Sequence, residues 1–302
     1  RLGSAGEARD VLAALRRQGA DSNVTQYVEG EVAYAAGAYV EAEKVFLEVM
    51  ASDAELSMKQ RSLRSLARLY RDCAGLEKTG GSPLAGAAVD TPAAIKGTKL
   101  LYMGISEYEL QYDSSLYEML GQAAYEAHSL AAAGGLEPEL GKDYRLISVE
   151  AFEQVLALGM KKDYIYSNLY SIQYELGEYA AAGEVLDHME VSFPKSYVPH
   201  ALRGILLITQ ENQKEESGRD YHRVQEEFTA ARELVGSGDD TTYLQQLEGL
   251  IGQKRRLAGV GPLEGTGEDP CGSLDSGCPV PVVSAEDGKE GTDRCGNTAG
   301  TT

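Results

Sequence analysis

Apolar residues recur three and four positions apart along most of the chain up to residue 257, a period that predicts helices and not strands. The pattern opens with a helix over about 4–19, its Ser4-Ala5-Gly6-Glu7 start a capping box, Ala8, Leu12 and Leu15 facing inward and Gly19 its stop. A two-helix unit from about 22 to 52 follows, then a helix over 57–73 with Leu63, Leu66, Ala67, Tyr70 and Cys73 on one face. A Gly-rich loop, 75–90, separates that helix from one beginning Thr91-Pro92, read as an N-cap followed by Pro at the first helical position. Leu116, Leu120, Gly121 and Ala124 open a third unit, closed after an insertion around 134–143 by Val149, Phe152 and Val155. A fourth runs from 164 to 197, and Gly204 and Leu207 begin a fifth. The charged run 211–220 extends its turn, and Tyr221, Val224, Phe228 and Ala231 complete it. A helix over 240–257 would cap the stack, because an uncovered end leaves an apolar face wet.

Two of these units share a detailed pattern. Residues 34–46 read Tyr-Ala-Ala-Gly-Ala-Tyr-Val-Glu-Ala-Glu-Lys-Val-Phe, and residues 174–186 read Tyr-Glu-Leu-Gly-Glu-Tyr-Ala-Ala-Ala-Gly-Glu-Val-Leu. Aligned on Gly37 and Gly177, both give Gly-x-Tyr-x-x-Ala-x-x-x-large apolar. Gly ends the first helix in the left-handed conformation, Tyr packs at the corner, Ala lets the second helix approach, and Phe46 or Leu186 fills the space between. Pro194 stops the second helix of the later unit. This pattern resembles the tetratricopeptide repeat at Gly177, Tyr179, Ala182, Leu186 and Pro194, and the segment 164–197 covers about one 34-residue period. It departs from the family where Tyr166 replaces the usual Trp and Tyr170 replaces a small residue. The resemblance implies an all-α, right-handed superhelix of about five antiparallel helix pairs over residues 1–257.

From Ile165 to Gly252 the order Tyr-Glu-Leu-Gly-Glu-Tyr, Phe-Pro, Arg219-Asp220-Tyr221 and Tyr-Leu-Gln-Gln-Leu-Glu-Gly-Leu-Ile is similar to the C-terminal repeat region of bacterial serine/threonine protein kinases. That resemblance implies a non-catalytic regulatory or sensory region, in the cytoplasm or held at the cytoplasmic membrane through an upstream segment. The half repeat at the start and Arg1 in place of Met fit a piece cut from a longer chain.

Composition narrows the function classes. Ala, Leu and Glu are abundant, there is no Trp, and 18 Tyr stand against 4 Phe. A net charge of −19 argues against nucleic acid and against an anionic membrane surface. No apolar run approaches the ~20 residues that span a bilayer. Cys73 reads as a small buried apolar residue, while Cys271, Cys278 and Cys295 lie in the tail. That tail, 258–302, holds ten Gly, four Pro and no aromatic, and is expected to be disordered.

No constellation for catalysis, cofactor or metal emerges. His128, His188, His200 and His222 are scattered without zinc-ligand spacing. Arg219-Asp220-Tyr221-His222 has the letters of a kinase loop in the wrong order, and Gly259-Val260-Gly261 has Glu264 where a dinucleotide loop needs its third Gly. Asn23-Val24-Thr25 is a glycosylation sequon of a kind that arises often by chance. The chain is expected to bind rather than to catalyse.

The binding surface is expected on the first helices of the units. Arg61, Arg64, Arg68 and Arg71 span about 80° of one helix at ~100° per residue, opposite its apolar face. Tyr27 and Tyr34 would flank them on one side, Glu118, Gln122 and Tyr125 on the other, with Tyr164, Asn168 and Tyr174 further along. Arginine forks and tyrosines suit an acidic or phosphorylated peptide. The plainer alternative, the commoner fate of exposed helix charges, is that the arginines pair with acidic residues of neighbouring helices. Two functions stay open: a protein-interaction scaffold, or a sensor of a small molecule or cell-wall fragment in which the insertions 75–90 and 134–143 close over the ligand.

Overall fold

A computed structural model of the chain describes residues 5–257 apart from 82, 85–90 and 135–139. The expected Ser4 cap and the tail 258–302 lie outside the described residues. Twelve α-helices and no strand are present among the described residues: α1 Ala5–Arg17, α2 Ser22–Ala35, α3 Tyr39–Ala51, α4 Leu56–Lys78, α5 Ala93–Glu107, α6 Ser114–Gly134, α7 Tyr144–Ala157, α8 Asp163–Glu175, α9 Tyr179–Ser192, α10 Val198–Asn212, α11 His222–Leu234 and α12 Thr242–Leu257. The expected all-α class and its order of helices are what the chain forms. None of the helices is long and apolar enough to cross a membrane.

The chain divides into two compact units. The first runs to Lys161 and includes Glu175–Gly177; the second comprises Lys162–Tyr174 and the chain from Glu178. In the first, each helix from α1 to α7 packs on the next, and α4 also touches α2 and α6. This alternation makes α2, α4 and α6 one layer and α3, α5 and α7 the other. In the second unit α10 packs on α9, α11 and α12. Tyr170 of α8 donates to the Leu202 carbonyl of α10 at 3.0 Å, and the Tyr174 and Thr209 hydroxyls meet at 2.6 Å.

The turns follow from glycine. Gly37 and Gly177 have φ of 75° and 78°, the left-handed conformation that the repeat pattern requires. The Gly37 amide then bonds the Tyr34 carbonyl at 3.0 Å and the Ala38 amide reaches the Ala33 carbonyl at 2.9 Å, closing α2. Between the helices, packing depends on a trade of volume. A Cβ on Gly30 would stand 2.6 Å from the Phe46 ring, and one on Gly121 2.8 Å from the Phe152 ring. In the fourth unit the large residue sits on the other partner: Tyr170 and Leu186 take the places of Gly30 and Phe46, and both are fully buried. The departure at Tyr170 is therefore compensated by the smaller Leu186, and its hydroxyl is satisfied by α10.

Two expectations about α4 and α5 need correction. The helix expected to end at Cys73 continues to Lys78. Gly75 reads as a breaker, but Ala74 is buried and Glu77 accepts the Ala93 amide at 3.0 Å, so tertiary contacts hold the extra turn. Pro92, not Thr91, is the N-cap of α5, with φ −53° and ψ 143°, and that same Glu77 carboxylate does the capping. Cys73 is fully buried as expected, and burial pushes its thiol up to about 12. A buried cluster ties the layers together: Glu43 of α3 accepts from the Tyr70 hydroxyl of α4 at 2.8 Å and pairs with Lys96 of α5 at 3.0 Å.

Gly30→Ala gains about 0.5–1 kcal/mol of helix propensity but forces a Cβ into the Phe46 ring, an overpacking cost of roughly 1–3 kcal/mol. The variant is expected to melt about 2–6 °C lower, at ~2–4 °C per kcal/mol for a unit of this size. Adding Phe46→Leu, which copies the Leu186 solution, should recover part of the loss. Thermal melts of the single and double variants check both.

Candidate functional site

On α2, Tyr27, Glu31 and Tyr34 recur at helical spacing and face α4. The Tyr27 hydroxyl donates to Glu31 at 3.1 Å and lies 3.3 Å from the Ser65 hydroxyl. Ser65 donates to Glu31, and the Arg68 guanidinium reaches the same carboxylate at 3.1 Å. One turn on, Tyr34 donates to Asp72, which also accepts from Arg71 at 3.0 and 3.1 Å. Arg68 stands over the Tyr34 ring, 5.9 Å from its centre. Burial raises both phenols, and for Tyr34 the Asp72 carboxylate adds to the rise, so each hydroxyl stays protonated and donates.

The structure thus brings four of the sequence-predicted residues, Tyr27, Tyr34, Arg68 and Arg71, into one network. Arg64 is committed elsewhere, its Nε donating to Asp113 at 2.9 Å. Three arginines of the stripe are matched by three carboxylates of the chain, Glu31, Asp72 and Asp113. Arg61 is exposed and has no ion pair among the described residues. On α6, Glu118 and Gln122 are half-buried, and the Gln122 amide nitrogen is buried without an acceptor among the described residues. Tyr125 donates to Glu175, which belongs to the same unit, at 2.6 Å.

The other predicted residues lie in the second unit. Asn168 is 3% exposed, which removes it from any open surface. Tyr174 packs between the rings of Tyr170 and Tyr179, at 5.8 and 5.6 Å. Tyr164 is half-buried with the Lys162 ammonium 5.4 Å from its ring. The insertions 75–90 and 134–143 fall partly outside the described residues. Asn23, of the sequon, stands in the first turn of α2 and accepts from the Ser52 hydroxyl at 3.2 Å, a helical setting unlike an exposed loop.

Sequence reasoning missed one place. Between α4 and the α5–α6 turn lies an open cleft of about 470 Å³, with Gln60, Arg64, Glu109, Tyr112 and Asp113 on its walls. Glu109 has φ +56°, the one non-glycine residue at positive φ among the described residues. The Leu110 amide bonds the Ile105 carbonyl at 2.8 Å and the Glu109 amide the Ser106 carbonyl at 3.3 Å, the same closure that Gly37 gives α2. Holding a Glu there costs about 1–2 kcal/mol. The only signal in the sequence is a missing one: no Gly or Asn occupies the turn between Glu107 and Ser114.

No family model matches the chain, and no curated protein is significantly similar to it.

Because Glu31 accepts three hydrogen bonds and its side chain is 22% exposed, Glu31→Ala is expected to cost on the order of 1–3 kcal/mol. Arg61→Ala should leave the melting temperature within about a degree, as surface charges do. Side-by-side melts distinguish the paired face from the free residue.

Proposed function

We propose that the chain is a non-catalytic protein-interaction scaffold of the tetratricopeptide type, the repeat region of a bacterial serine/threonine kinase. One observation carries the reading: α4 packs on α2 and α6 as well as on its sequence neighbours, so the first helices of the first unit form one layer. Such layers present a long, ordered surface made of side chains from successive repeats. The turns support the family part of the reading, because Gly37 and Gly177 take the left-handed conformation their motif needs. The right-handed winding and the kinase connection rest on the resemblance of the motifs.

The partner is a protein segment lying along this layer. Its expected acidity loses support on α4, where Glu31, Asp72 and Asp113 neutralise three of the four arginines of the stripe. Rigid tyrosines and arginines already held in place still make good interface anchors, since little side-chain freedom remains to be lost on binding.

Lysines report the face used. Lys78 stands on α4 at the edge of the arginine stripe, Lys44 on α3 and Lys99 on α5. Cross-linking the purified chain to a purified partner is expected to join Lys78 to the partner in preference to Lys44 and Lys99. Cross-links confined to Lys44 and Lys99 would overturn the scaffold reading. An upstream reading frame without kinase motifs would remove the kinase assignment alone.

A further inference from the structure

We propose that the cleft between α4 and the α5–α6 turn is a clamp for a cationic side chain, an arginine before a lysine, on the partner segment. The inference rests on the scaffold reading and names one contact within it. Its starting point is the turn. Other left-handed helix ends, at Gly37, Gly80, Gly159 and Gly177, use glycine, whereas this one holds Glu109 at φ +56°. A strained residue kept where glycine would fit points to a use for its side chain.

The walls of the cleft are fixed. Gln60 of α4 donates to the Tyr108 carbonyl at 2.8 Å, at the start of the turn, and Arg64 holds Asp113 at 2.9 Å, at its end. With both ends of the turn tied to α4, the cleft is formed before anything binds, which lowers the cost of ordering.

Charge then selects the occupant. Arg64 and Asp113 neutralise each other. The Glu109 carboxylate has no hydrogen bond or ion pair among the described residues, so the cleft keeps one uncompensated negative charge. Beside it Tyr112 is 88% exposed, an aromatic ring that no neighbour covers. A carboxylate next to an open ring suits a guanidinium, which pairs with the first and stacks on the second. The net charge of −19 draws cations toward the chain from a distance.

The test uses the full ¹⁵N-labelled chain and two acetylated, amidated pentapeptides, Ser-Ala-Arg-Ala-Ser and Ser-Ala-Glu-Ala-Ser. The arginine peptide should shift the amide signals of residues 109–113 saturably, and the glutamate peptide should not. Glu109→Gly is expected to raise the melting temperature, since it relieves the turn, yet to weaken the arginine peptide at least fivefold. Tyr112→Ala should weaken it severalfold at unchanged melting temperature. Unchanged affinity in Glu109→Gly overturns the clamp, as do saturable shifts with the glutamate peptide, or shifts spread over the surface that neither substitution alters. If the clamp fails while Lys78 still cross-links to the partner, the scaffold stands without it; cross-links confined to Lys44 and Lys99 remove the scaffold itself.

Discussion

The polar network of α2 and α4 stands on closely seated helix pairs, and a single trade of side-chain volume sets how closely α2 seats on α3 and α6 on α7. Where Gly30 meets Phe46, or Gly121 meets Phe152, one helix contributes no side chain and the other a ring. Cores are packed too densely to tolerate an extra methyl at such a contact without movement. With α2 seated on α3 and α3 on α4, Tyr27 lies opposite Ser65 and Tyr34 opposite Asp72, each pair 38 residues apart in sequence. The polar network depends on that packing of all three helices, since hydrogen bonds of this kind form only within a few tenths of an ångström of their best length.

Electrostatics is layered in the same way. Deep in the first unit Glu43 joins Tyr70 and Lys96, linking three helices through one buried carboxylate. Removing one partner of such a pair costs more than the pair contributes, because the other charge stays buried. In the second unit Arg203, 13% exposed, holds Asp187 at 2.9 Å and Glu190 at 2.8 Å, stitching α10 to α9. Nearer the surface, Glu31, Asp72 and Asp113 occupy three of the four arginines of α4. The arginines at these contacts are thus held by the chain's own structure, and a net charge of −19 leaves carboxylates in surplus. The strained Glu109 turn is where that surplus sits beside an exposed ring.

Local chemistry was legible in the sequence. The helical period, the left-handed glycines at 37 and 177, and the buried Cys73 all follow from residues close to one another in the chain. So does the grouping of the four arginines on one side of α4. What they touch was not legible, because Glu31 and Asp113 lie 37 and 49 residues away from their arginines. The same limit explains α4, where Gly75 argues for a stop and only the distant amide of Ala93 shows why the helix continues through Glu77. Glu109 was illegible for another reason: glutamate favours helices, so nothing local announces a left-handed turn.

The central claim is that the chain's own carboxylates hold three of the four arginines of α4. A double-mutant cycle of Glu31→Ala and Arg68→Ala, followed by urea unfolding, tests it most directly. The account predicts a favourable coupling on the order of 1 kcal/mol, because a half-buried pair within one network is not additive. Additive losses, with no coupling beyond ~0.3 kcal/mol, would contradict it and return Arg68 to the pool of charges available to a partner.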